Sequence, residues 1–137
     1  MAAVGYPRSM SDPSVLLLAA DRLADRFRSM PQGRLAALAP EGLWAARRLA
    51  RRSQALEGGV ARPELPDVGI FAVGDQIALT AHDLAAALGE RAGAGDQEDA
   101  GDVEDDGSAL GAERALAASL ADLEAVYRLA TTRSARM

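Results

Sequence analysis

The chain has 137 residues, with fifteen Arg and no Lys, twenty acidic residues, one His and no Cys, for a formal net charge of -5. A chain of this length forms one domain, burying roughly two-thirds of its unfolded surface in a single core. With His82 alone and no thiol, zinc sites built from cysteine, cysteine with histidine or three histidines are excluded, as are iron-sulfur clusters, disulfides and cysteine nucleophiles, leaving carboxylate, hydroxyl and guanidinium chemistry.

Thirty-one Ala against one Trp, two Tyr and two Phe favour helices packed through small side chains, and so an all-α fold. The use of Arg alone, beside so much Ala and Gly, fits a GC-rich coding bias and is not by itself a sign of phosphate binding. No apolar run approaches the roughly eighteen residues of a membrane-spanning helix. Residues 15–20 are too short for a signal-peptide core and run straight into Asp21 and Arg22, so the expected location is cytoplasmic, without a membrane role. Met10 before Ser11-Asp12-Pro13 reads as a translation start, which would make residues 1–9 dispensable; residues 1–11 are expected to be a flexible tail and 12–137 one helical domain.

Asp12 is a suitable N-cap and Pro13 a suitable first helical residue. Leu16, Ala20, Leu23, Phe27 and Met30 then fall on one side of a helix that Pro31 should end. Residues 34–38 are expected to make a short helical turn before Pro40, which opens a second helix running to about Glu57. Leu43, Ala46, Ala50, Ser53 and Leu56 form its inner side, and Gly58-Gly59 stops it. Residues 60–69, with Pro63, Pro66 and Gly69, make a stiff connection. Ile70, Phe71 and Val73 lead into a third helix whose stripe is Ile77, Ala81, Leu84 and Leu88. Its start is open between Gly74 and Thr80, because Thr80 with Asp83 resembles a capping box.

Residues 89–107 change character. Between Glu90 and Asp106 stand eight acids and a single Arg, Arg91, among Gly and Ala. Such a stretch buries too little apolar surface to offset its ordering entropy and reads as a mobile acidic loop. Ser108 is expected to cap a last helix with the stripe Leu116, Leu120, Leu123, Tyr127 and Ala130. Four striped helices make an antiparallel bundle of about four helices, with Phe27, Met30 and Tyr127 in its core.

The second helix carries the candidate site. Arg47, Arg48, Arg51 and Arg52 lie on one side of it, with Trp44 among them, three, four and seven residues from Arg47, Arg48 and Arg51. At that spacing a guanidinium group lies over the indole. Trp and Arg are enriched at interaction hot spots, so the face is a candidate surface for a protein partner, expected to be acidic. The alternative is an anion or nucleic-acid binder using the same four arginines, which a net charge of -5 opposes. The acidic segment 96–106 is a candidate intramolecular competitor for the face.

Residues 80–89, Thr-Ala-His-Asp-Leu-Ala-Ala-Ala-Leu-Gly, resemble the first helix of many helix-turn-helix domains, which implies a turn at Gly89 and a recognition helix after it. The acidic sequence that follows departs from that pattern, because phosphate would repel it. Asp102, Glu104, Asp106, Gly107 and Glu113 look like positions 1, 3, 5, 6 and 12 of an EF-hand loop, although position 3 is a longer Glu and no striped helix enters. His82-Asp83 offers no second imidazole for a metal, and His82 is expected to face solvent. No nucleophile with its base, Gly-rich phosphate loop or convergent acid pair occurs, so neither an enzyme nor a cofactor is expected. The Ala-rich surfaces at Ala85, Ala86, Ala87, Ala117, Ala118 and Ala121 point to self-association, most simply as a homodimer.

Overall fold

The computed structural model describes residues 12–58, 62–97 and 105–132. They form four helices packed against one another, α1 (Pro13–Arg28), α2 (Gln32–Glu57), α3 (Val73–Gln97) and α4 (Asp105–Thr131), with a short 3-10 turn, Ile70–Ala72, before α3. Residues 1–11, assigned to a tail from the sequence, lie outside the described residues.

α1 begins as its caps dictate, with Asp12 Oδ1 accepting from the Ser14 amide at 3.0 Å. It buries Leu16, Ala20, Leu23, Ala24 and Phe27. The α3 stripe of Ile77, Ala81, Leu84 and Leu88 is likewise buried, and Leu116, Leu123 and Ala130 of α4 join the same core. Leu120 and Tyr127 are only partly buried beside it, and so is Met30 beyond the end of α1. Arg22 explains the position of Tyr127, because its guanidinium lies 4.5 Å from the centre of the ring and draws it to the rim.

α2 departs from expectation. Residues 32–57 form one continuous helix, and Pro40 stands inside it instead of opening it. Proline there removes a backbone donor and crowds the preceding turn, at a cost of about 3 kcal/mol. Burial of Leu35, Ala39, Gly42 and Leu43 on one side offsets that cost, and Pro31 caps the helix by accepting the Leu35 amide at 2.8 Å. At the other end Gly58 closes the helix in the left-handed region, at φ 71°, as the glycine pair predicts.

Specific pairs set the directions of the helices. Arg28 reaches Asp75 at 2.8 Å and His82 Nε2 lies 3.8 Å from Asp21, so α1 and α3 are antiparallel. Arg34 donates to the carbonyls of Leu129, Ala130 and Thr132, while Arg48 and Arg52 meet Asp122 lower on α4, so α2 and α4 are antiparallel too. Residues 62–66 form a strap that doubles back along α2. The Arg62 amide donates to Gln54 Oε1, Arg51 holds Glu64, and Arg47 holds the Leu65 carbonyl. Gln76 donates to the Pro66 carbonyl and fastens the strap to α3. α3 therefore starts beside the middle of α2, where Val73 approaches Gly42, and runs alongside the second half of that helix.

The remaining boundaries differ from the sequence reading at three points. α3 starts at Val73, and Thr80 is no cap: it is buried in mid-helix with its hydroxyl turned back to the carbonyls of Gln76 and Ile77. α3 also continues past Gly89 to Gln97, which removes the turn that a helix-turn-helix unit needs. α4 begins at Asp105, ahead of Ser108. Of the expected loop at 89–107, residues 98–104 lie outside the described residues. A helix from Asp105 takes up positions 4 to 12 of the supposed EF-hand loop and leaves no loop there to bind calcium.

Candidate functional site: the Trp44 ridge

Trp44 stands on the outer crest of α2 with 45% of its surface exposed. The strap flanks it on one side and α4 on the other. Arg48, one turn on, places its guanidinium carbon 4.8 Å from the centre of the indole, which is the stacking that the four-residue spacing predicts.

The four arginines do not form a single open face. Arg47 and Arg51 turn toward the strap. Arg47 Nε donates to the Leu65 carbonyl at 2.7 Å and lies 3.5 Å from Glu64, whose other carboxylate oxygen takes a 2.9 Å hydrogen bond from Arg51. Arg48 and Arg52 turn toward α4. Both reach Asp122 Oδ2, at 2.9 and 2.8 Å, and Arg52 also donates to the buried Ser119 hydroxyl at 2.9 Å. The side chains of Arg52 and Asp122 retain only 16% and 12% exposure, so this pair is largely withdrawn from water.

The arrangement is a clamp. Four guanidinium groups share two carboxylates, and the excess positive charge is partly offset by Glu41, exposed one turn before Trp44. The hydrogen bond from Arg51, with the charges of Arg51 and Arg47 behind it, holds the Glu64 carboxyl below its ordinary value against a smaller opposing effect of desolvation. A lowered folded-state value favours folding above the usual Glu range, and that contribution disappears as the pH falls through the folded value. On acidification through this window the strap is therefore expected to loosen before the helices melt. Carbon-detected NMR of the Glu64 carboxyl, followed with the Leu65 and Pro66 backbone signals, checks it; a Glu64 midpoint at or above that of an unstructured Glu counts against it.

The acids that hold the arginines were missed in the sequence. Asp122 carries a recognisable signal, a lone acid set between Leu120 and Leu123 of the α4 stripe. The 96–106 segment, the partner that the sequence suggested, lies partly outside the described residues. Asp122 is level with Arg48, and α4 starts at Asp105, seventeen residues earlier, which is about 26 Å along the helix.

His82 faces solvent, as expected. Among the described residues no group of His, Asp or Glu is placed to hold a metal, and no helix is long and apolar enough to cross a membrane. Ala85 and Ala87, expected at a self-association surface, are buried within the chain, because the α3 stripe extends to both flanks of Leu84 and Leu88. Ala86, Ala117 and Ala121 are exposed. No protein-family model, curated protein or solved structure matches the chain.

Proposed function

We propose that the protein is a non-catalytic interaction module of the cytoplasm, an adaptor or regulatory subunit whose partner docks on the Trp44 ridge. The observation that carries this reading is an exposed indole held rigid. Arg48 stacks on Trp44 and is itself fixed to Asp122, so little side-chain freedom is lost when a partner covers the ring. Aromatic and Arg anchors of this kind supply most of the affinity at hot spots. Arg51, the most exposed of the four arginines, and the cation excess around it favour an acidic partner.

An anion or nucleic-acid binder would be held by Arg47, Arg48, Arg51 and Arg52 together, yet each is bonded to an oxygen of the chain itself, whereas an acidic protein needs only the field of the excess charge while Trp44 supplies the contact. Salt-dependent retention on heparin, lost when the four become Ala, would favour that reading over a protein partner.

The chain has one Trp, so its emission reports on this ridge alone. Partners captured with the wild type and identified are then titrated against the purified protein. The expected result is a shift in Trp emission on binding. Trp44→Ala, which has no Trp to report and is titrated by calorimetry beside the wild type, should cost at least tenfold in affinity, about 1.4 kcal/mol or more, with the melting temperature unchanged. Equal capture and affinity by the variant would place the partner elsewhere.

A further inference from the structure

α3 presents to solvent a crest on which apolar and acidic residues alternate turn by turn. Phe71, in the 3-10 turn that leads in, is followed at four-residue steps by Asp75, Leu79 and Asp83, and then by Ala86 and Glu90; all six are exposed. Phe71 is 71% and Leu79 58% exposed, and Val68 of the strap, three residues before Phe71, is 62% exposed. Single exposed apolar residues are ordinary, whereas large ones repeated along one line of a helix leave a stripe that water solvates poorly.

The charges beside this stripe have one dominant sign. Asp25 of α1 shares the Arg28 guanidinium with Asp75, at 3.1 and 2.8 Å, and Asp21 lies beside His82, the neighbour of Asp83 in the chain. His82, facing Asp21, is the other titratable group on that side. The crest is thus apolar and negative in a fixed register, with its repeat matched to the helical turn.

We propose that this crest docks a basic amphipathic helix of a partner protein. Apolar residues of that helix, spaced one or two turns apart, pack on Phe71 and Leu79, and its Arg or Lys residues between them meet Asp83 and the outer oxygen of Asp75, whose Oδ1 is taken by Arg28. Helix-on-helix recognition uses such i and i+4 anchors, and complementary charge sets its register and suppresses the wrong sign of partner. The proposal does not depend on the Trp44 ridge, which lies on a different helix and favours the opposite charge.

The probe is a fluorescein-labelled synthetic helix with Leu and Lys alternating at four-residue steps on one face and Ala and Gln elsewhere, titrated with the full chain and read by anisotropy. Saturable one-to-one binding is expected. Phe71→Ser/Leu79→Ser should weaken it at least tenfold, and Asp83→Lys should weaken it and flatten its salt dependence. Leu129→Ser, an exposed apolar change on α4, should leave it unaltered. Circular dichroism confirms that each variant keeps the wild-type melting curve. Equal binding by the double variant would reduce the effect to unpatterned charge attraction and overturn the proposal. So would a dimer of the full chain, seen by light scattering and lost in the double variant, since a second copy would then be what covers the crest.

Discussion

Phe27→Ala is expected to destabilise the fold by about 3–5 kcal/mol, with a marked loss of thermal stability. Phe27 is among the largest fully buried side chains, and its ring lies where α1, α2 and α3 meet. Gly42 makes that meeting possible: a Cβ built there would stand 2.8 and 2.9 Å from the ring carbons Cε2 and Cζ and 2.6 Å from Val73 Cγ1. Gly42→Ala is therefore expected to destabilise by about 1–3 kcal/mol, even though Ala is better than Gly by up to about 1 kcal/mol within an exposed helix. The two changes are coupled. Once the ring is gone, the new methyl group occupies part of the space it left, so the double variant should lose less than the sum, by about 1 kcal/mol or more. Urea unfolding of the four proteins closes the cycle. Strict additivity would mean that ring and glycine do not limit one another.

Asp122→Ala carries the second large effect, a destabilisation of about 2 kcal/mol. One carboxylate oxygen serves both Arg48 and Arg52, and Arg52 is too enclosed to find water in its place. Removing the acid leaves a partly buried cation bonded only to Ser119, and it frees α4 from the lower half of α2. The consequence extends to Trp44. Arg48 loses its anchor and with it the stacked position over the indole, so acrylamide quenching of the Trp emission should rise. A variant with wild-type stability and quenching would show that the clamp is a surface pairing of little value.

The parts of this fold that were legible in the sequence are those set by neighbours along the chain. The stripes from Leu16 to Phe27 and from Ile77 to Leu88, the Asp12 cap, the Gly58 stop and the stacking of Arg48 on Trp44 all depend on residues within a few turns. What was not legible depends on tertiary contact. Pro40 signals a helix start locally, and only the burial of Leu35 and Ala39 keeps the helix continuous through it. The four arginines were visible as a charged face, but their acids come from residue 64 on the strap and residue 122 on the last helix. The glycines and acids beyond residue 89 suggested a loop, yet helix extends to Gln97 and resumes at Asp105.

The hold of Arg34 on the carbonyls of Leu129, Ala130 and Thr132 bears on the order in which the chain becomes native. Those oxygens are left over at the end of α4, and a cation from 95 to 98 residues earlier satisfies them. During synthesis the first turns of α2, weakened by Pro40, therefore wait for the last residues of α4 to leave the ribosome. α1 meets α4 as well, where Arg22 stacks on Tyr127, but its carboxyl end is already paired with α3 through Arg28 and Asp75. The amino-terminal end of α2 thus gains its protection late, and a ribosome-bound chain stopped before Leu129 would expose it to proteases.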